Sequence, residues 1–152
     1  MKKIIFLIVT TILSANSSLN IEADKFEANV KKLESKFVGN VYISKDNNNI
    51  FADKVTVKLR NNKKPISYVA QKNVKINISM NGKKYEGNTD KLSYFVDSGI
   101  YRLEGNSKLK ELNTTNVVTG DKIIIDTEHS VYKIEGDDTK RVEFIYNIDE
   151  KE

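Results

Sequence analysis

Asp121-Lys122-Ile123 leads across a polar turn to Ile134-Glu135-Gly136-Asp137, with the Gly fifteen positions after the Asp. The chain makes the same move three more times. Asp24-Lys25-Phe26 leads to Gly39-Asn40, and Asp90-Lys91-Leu92 leads to Gly105-Asn106. Asp53-Lys54-Val55 leads to Lys72-Asn73, with four extra residues around Pro65 and Lys in place of Gly. Self-similarity with a period of about 30 residues marks a repeat architecture. Alternation says what each repeat is. Two residues before the Gly position stand Phe37, Ala70, Leu103 and Ile134; four after it stand Ile43, Ile76 and Leu109. Two and four residues after each Asp come Phe26/Ala28, Val55/Val57, Leu92/Tyr94 and Ile123/Ile125. Apolar residues at every second position have the period of a strand with one buried face. Each repeat therefore reads as a strand, a turn rich in Lys, Asn, Asp and Gly, and a returning strand.

The residue before each Asp is small: Ala23, Ala52, Thr89 and Gly120. Three before the Asp lie Ile21, Ile50, Gly87 and Val118, so the parity there is opposite to the parity after it. A face switch inside one strand needs a bulge or a corner, and small residues fit a strand bending from one sheet to another. Four such switches predict a rolled, two-sheet structure. The repeated Asp residues are each followed by Lys and lie about 30 residues apart, whereas calcium loops gather their carboxylates within about a dozen residues. A structural role at the strand corner, such as bonding to nearby backbone N–H groups, is expected of them. Lys72, where the other corners have Gly, predicts a distorted or exposed second corner.

Second turns lie at Lys45-Asp46-Asn47-Asn48-Asn49, Met80-Asn81-Gly82-Lys83 and Leu112-Asn113-Thr114-Thr115-Asn116. These residues are turn-formers, and short strands at such spacing are the pattern of an all-β sandwich or barrel. Lys25 to Lys36 has some helical spacing through Phe26, Val30 and Leu33, but the repeat overrules it. The last arm, Val142-Glu143-Phe144-Ile145-Tyr146-Asn147-Ile148, alternates as a strand. A roll that begins near Leu19 and ends on that arm leaves two open edges able to accept another strand.

The 152-residue chain fits one domain with a substantial core. It has no Cys and no Trp, one Pro and one His. That removes disulfides, thiolate nucleophiles and thiolate metal sites. Met1 to about Ser18 reads as a secretory signal: Lys2 and Lys3, the apolar run Ile4 to Leu13, then small residues with Ala15 and Ser17 as candidate cleavage positions. The run is shorter than the about 20 residues that span a bilayer. Residues 1–18 are thus expected to be removed and 19–152 to form one exported domain. The short basic start looks bacterial, so the expected home is the periplasm. Net charge is +4, and without Lys2 and Lys3 it is 4 − 2 = +2, scattered among acidic residues. That does not argue for nucleic acid. His129 lacks the convergent partners of a metal or triad site, and no phosphate-cradling Gly loop or nucleophile elbow is present. The reading at this point is a rolled β structure with a long apolar inside, able either to close on itself or to hold an extended apolar ligand.

Several motifs in order resemble the OstA-like family: Phe37-Val38-Gly39-Asn40-Val41, Ile50-Phe51-Ala52-Asp53-Lys54-Val55, Tyr85-Glu86-Gly87, Leu103-Glu104-Gly105-Asn106, Gly120-Asp121-Lys122-Ile123 and Lys140-Arg141-Val142. The resemblance covers roughly Leu19 to Ile148. It implies an open, twisted β-jellyroll without catalysis or cofactor. It implies a periplasmic carrier of lipopolysaccharide, whose acyl chains slide along the apolar inside. It implies edge-to-edge stacking into a bridge between inner and outer membranes. The partners would be inner-membrane LptC-like and outer-membrane LptD-like jellyrolls, together with head-to-tail self-association. Carried onto this chain, the resemblance gives an apolar lining of Leu19, Ile21, Tyr68, Leu92, Tyr94, Val96, Leu103 and Ile123. The partner edges would carry Leu19 and Ile21 at one end and Phe144 and Tyr146 at the other. Two other readings remain open. An uncleaved Ile4–Leu13 would make the chain a membrane-anchored LptC-like partner, and a dry core would make it a structural β-repeat module.

Overall fold

A computed structural model of the protein describes residues 19–146. The expected signal segment and the last six residues, including Asn147 and Ile148 of the expected final strand, lie outside the described residues. Among the described residues ten strands follow one another: β1 (Leu19–Glu22), β2 (Lys25–Asn29), β3 (Glu34–Lys45), β4 (Asn48–Leu59), β5 (Pro65–Met80), β6 (Lys83–Phe95), β7 (Ile100–Glu111), β8 (Val117–Asp126), β9 (Val131–Glu135) and β10 (Glu143–Ile145). Residues 25–36 are strand, turn and strand, so the helical spacing there has no counterpart in the structure. The first and last long strands, β3 and β8, are each flanked by two short ones. β1 and β2 both pair with β3; β9 and β10 both pair with β8. Every pairing is antiparallel.

Each long strand turns a corner near its middle. The pairing register shifts between Val38 and Val41, Phe51 and Lys54, Gln71 and Val74, Asn88 and Lys91, and Glu104 and Ser107. These are the face switches expected from the parity change. Hydrogen bonding continues through them, so the two expected sheets are two leaves of one sheet. The first leaf holds β2, β9 and the strand halves next to them; the second holds β1, β10 and the other halves. Gly39 and Asn40 sit at φ +87° and +46°, and Gly105 and Asn106 at +84° and +47°. Two successive left-handed residues reverse the pleat, and Gly and Asn tolerate that region best. The corner is tied by its Asp. Asn40 donates to Asp24 at 2.8 Å, Asn73 to Asp53 at 2.8 Å and Asn106 to Asp90 at 2.9 Å. The Asp carboxylates thus take the Asn side-chain amides, where backbone N–H groups were expected.

Lys72 does not distort the second corner. It lies at φ +67°, exposed, and the Asn73–Asp53 bond matches the others. The fourth repeat departs instead. Asp137 accepts from the N–H groups of Thr139 and Lys140, closing a tight turn, and Lys140 Nζ donates to Asn106 Oδ1 at 2.5 Å. The last repeat therefore folds back onto the third corner before β10. The hairpin ends are tighter than expected. Asn48 and Asn49 belong to β4, leaving Asp46 and Asn47 as the turn. Asn81 and Gly82 are both left-handed, the geometry of a two-residue turn that matches strand twist.

The core lies between the leaves. Its buried members come from both: Val55, Leu92, Leu103 and Ile123 from the first, Val41, Val74, Ile76 and Leu109 from the second. Thr89 is buried at a corner and is satisfied there, its hydroxyl lying 2.9 Å from Ser107 Oγ and 3.0 Å from the Glu104 carbonyl.

Candidate functional site

Register turns the alternating residues into rows that run across the whole sheet. On the first leaf one row reads Phe26, Phe37, Val55, Ala70, Leu92, Leu103, Ile123 and Ile134, each paired with the next. On the second leaf the matching row is Ile21, Ile43, Ile50, Ile76, Gly87, Leu109, Val118 and Phe144. Neither row contains a charged residue. Gly87 is the thin point, because an added Cβ would stand 2.9 Å from Ile76 Cγ2. Both rows start and finish on edge strands, so the apolar inside passes from one edge of the sheet to the other.

A parallel row on the first leaf, nearer the strand ends, is Val57, Tyr68, Tyr94, Tyr101, Ile125 and Tyr132. Tyr94 and Tyr101 stack with centroids 4.4 Å apart, and Tyr68 follows at 6.3 Å from Tyr94. Offset stacking of neighbouring rings on one face is favourable in its own right. Burial pushes the Tyr68 hydroxyl up to about 12, with Tyr94 adding to the effect; Tyr94 and Tyr101 are raised by burial as well. All three are therefore neutral hydroxyls on a mostly apolar wall.

The leaves part at the ends of the strands. A cavity of about 310 Å³ opens there. The second leaf contributes Asn48, Ile78, Met80 and Asn81; the first contributes Tyr94, Tyr101, Asp126, Ser130 and Tyr132. Its lining combines aromatic and aliphatic side chains with amide, hydroxyl and carboxylate groups. Desolvation raises the Tyr85 hydroxyl on the second leaf above the usual tyrosine value, with Tyr132 and Glu111 adding to the effect. Asp126 is held below the usual carboxylate range by hydrogen bonds from His129, whose ring nitrogen lies 2.8 Å away; His129 is raised in turn. Among the described residues no cluster of His, Cys, Asp or Glu could hold a metal.

The expected lining residues fall into three environments. Leu92, Leu103 and Ile123 are adjacent in one row and are 1%, 0% and 1% exposed, so in this form they are closed core. Tyr68 and Tyr94 are half-buried in the tyrosine row, and Leu19 and Ile21 are half-buried on β1. Val96 lies one step beyond β6, 37% exposed, its N–H donating to the Ile66 carbonyl. Sequence reasoning missed Tyr101 and Tyr132. Both stand two residues before an apolar residue it did use, so the alternation already pointed inward at them.

Each edge is double. One carries β1 and β2, with Phe26 47% exposed; the other carries β9 and β10, with Phe144 50% exposed and stacked on Tyr146 at 5.6 Å. The expected final strand is shorter than its alternation suggested: β10 spans three residues, and Val142 precedes it.

The comparisons with known proteins agree with this geometry. No curated protein sequence is a significant match. A solved structure of LptH, the LptA-homologous periplasmic component of the conserved lipopolysaccharide transport device from Pseudomonas aeruginosa, superposes with a TM-score of 0.75. That likeness covers 86% of this chain and 95% of that one, at 16% sequence identity, and so concerns the fold: an open antiparallel β-jellyroll. The family model for the LptA/(LptD N-terminal domain) LPS transport protein matches residues 20–131, from β1 into β9. The span holds all three Asp–Asn corners and most of both apolar rows, and on that match the chain belongs to the LptA/LptD N-terminal-domain family of lipopolysaccharide transport proteins.

Proposed function

We propose that the protein carries lipopolysaccharide through the periplasm, its acyl chains shielded between the two leaves, as one unit of a bridge built edge to edge. The observation that carries this reading is the pair of uncharged apolar rows running from one edge of the sheet to the other. Hiding an acyl methylene from water is worth about 0.8 kcal/mol. A lipid with several chains therefore needs a continuous apolar path, which a closed barrel would not offer. Residues 1–18 serve as the export signal, and no step of this function is catalytic.

The edges support the bridge. Counting antiparallel pairings from β2 to β9 gives opposite directions for these two strands, and the same holds for β1 and β10. A second copy in the same orientation would bring β2 against β9 and β1 against β10, both antiparallel. Phe26 and Ala28 would then meet Tyr132 and Ile134 inside. Lys25 and Glu27 would face Lys133 and Glu135 outside, with opposite charges available across the join. The same two edges would receive LptC-like and LptD-like jellyrolls at the ends of the bridge.

The proposed lining is Leu19, Ile21, Tyr68, Tyr94 and Val96 at accessible positions, with Leu92, Leu103 and Ile123 reached when the leaves separate. The test is binding of purified residues 19–152 to lipopolysaccharide, with the delipidated core saccharide as control. Binding of the intact lipid alone, weakened at least tenfold in a folded Tyr94→Asp, supports the carrier. No binding by the folded protein rejects it in favour of a structural module.

A further inference from the structure

We propose that the cavity at the mouth, where the leaves part, is a sugar site: it holds one hydroxyl-bearing ring of the lipopolysaccharide saccharide while the acyl chains lie further in. The proposal rests on the carrier reading and says where the sugar end of the same molecule sits.

The cavity is chemically unlike the rest of the interior. The two apolar rows carry no charge, whereas Asp126, Asn48, Asn81 and Ser130 all face the cavity. An acyl chain lying against these groups would take their water and return no hydrogen bond, which is costly. A sugar ring brings hydroxyls that both donate and accept. The lining has capacity for them. Asn48 accepts the Ser79 N–H through Oδ1 at 2.8 Å, and among the described residues its amide N–H groups donate to none. Asp126 meets the His129 N–H at 3.1 Å and the His129 ring nitrogen at 2.8 Å. A carboxylate has about four acceptor positions, so Asp126 can still accept from a ligand hydroxyl. No Lys or Arg lines the cavity. A phosphate there would face the Asp126 carboxylate without a counter-charge, so the chemistry favours an uncharged ring.

The shape fits a ring as well. Tyr101 on β7 pairs with Ile125 on β8, and Ile125 pairs with Tyr132 on β9. The two tyrosines therefore stand in one row on either side of a buried isoleucine, two strand spacings or about 9.5 Å apart. Two van der Waals contacts take up about 7–8 Å of that distance, the room one ring needs when held between them. The C–H hydrogens of a sugar are weakly positive and pack well on the negative face of an aromatic ring. The volume, about 310 Å³, lies at the lower end of the about 300–1,000 Å³ of small-molecule sites. Tyr94 stacks on Tyr101 and also belongs to the proposed lipid lining, so the sugar site and the apolar path meet at that ring.

The test is an NMR titration of isotope-labelled residues 19–152 with two probes: deacylated lipopolysaccharide, which keeps the sugars and loses the chains, and dodecanoate, a chain without a sugar. The deacylated probe should shift the Asn48, Tyr101 and Asp126 amides with a Kd on the order of 1 mM, too weak to register where the intact lipid binds. Dodecanoate should leave the Asn48 and Asp126 amides in place. Asp126→Asn should weaken the deacylated probe at least tenfold. Asn81→Gly, which keeps a residue suited to the left-handed turn at φ +52°, should weaken it about 2- to 12-fold. Both variants should weaken intact lipopolysaccharide by the same factors. A deacylated probe that moves none of these amides at about 10 mM, ten times the expected Kd, overturns the sugar site and leaves the carrier standing; so does dodecanoate moving them instead. Variants that weaken the deacylated probe but not the intact lipid overturn the assignment of the site to lipopolysaccharide. Intact lipid that fails to bind the folded parent overturns the carrier, and that assignment with it.

Discussion

Adding a side chain at one corner and removing one at the equivalent corner should have opposite effects. Gly105 sits at φ +84° with its Cα hydrogen facing Asp90. An added Cβ would stand 2.6 Å from Asp90 Oδ2 and 3.0 Å from Asp90 Cβ. In Gly105→Ala the carboxylate must shift, but Asn73 keeps its 2.8 Å bond to Asp53 beside Lys72, so the tie survives a side chain at this position. The left-handed conformation costs an L-residue about 1–2 kcal/mol. The reduced freedom of the unfolded chain returns about 0.4–1 kcal/mol. The net is a destabilisation of about 0.5–1 kcal/mol, or a fall in Tm of roughly 2–4 °C at this chain length. Lys72 occupies the same corner position at φ +67°, so Lys72→Gly removes the left-handed cost while giving up the unfolded-state benefit. It should stabilise by about 0.5–1 kcal/mol. Urea unfolding followed by circular dichroism checks both, with the midpoint moving at constant slope. A neutral Gly105→Ala, or a destabilising Lys72→Gly, would refute the account of the corners as left-handed steps tied by Asp.

Alkaline sensitivity should track the tyrosine row. Burial raises Tyr68 from 10.0 to about 12, so the fold favours its neutral form. That contribution is complete below pH 10 and is lost as pH rises toward 12, about 2 kcal/mol after allowing for partial exposure. Tyr68→Phe should flatten the fall in urea midpoint between pH 9 and pH 11.5, leaving the shares of Tyr94 and Tyr101; an unchanged fall would mean the Tyr68 hydroxyl is not the group that titrates. Gly87→Ala should cost about 1–3 kcal/mol by overpacking, since its Cβ would stand 2.9 Å from Ile76 Cγ2 and 3.0 Å from the Lys108 carbonyl. A full-strength Gly87→Ala in thermal unfolding would show that the second-leaf row is not packed as described.

Much of the fold was legible because the repeat and the alternation are local signals. Asp24, Asp53, Asp90 and Asp121 marked the corners, and the parity change around Ala52 and Thr89 predicted the bends. The partner of each Asp was not legible. For Asp24, Asp53 and Asp90 it is an Asn brought close by the strand pairing, a contact that depends on register. Register also hid the stacking of Tyr94 on Tyr101, whose separation in sequence gives no hint of a 4.4 Å contact. The regular spacing overstated β10 at its start and at Tyr146: the strand runs only from Glu143 to Ile145. The lining was legible as a face. Which of its residues are sealed core, such as Leu103, and which reach the mouth, such as Tyr94, follows from how closely the leaves pack.

The central claim is that lipid acyl chains lie between the leaves. The most direct measurement is photo-crosslinking with p-benzoylphenylalanine placed singly at Tyr94 and Ile21, which face inward, and at Val69, which faces outward from the same sheet. The protein would be loaded with lipopolysaccharide before irradiation. The account predicts lipopolysaccharide adducts at Tyr94 and Ile21 and none at Val69. Adducts as strong at Val69 as at Tyr94, or none at the two inward positions of a folded protein, would contradict it.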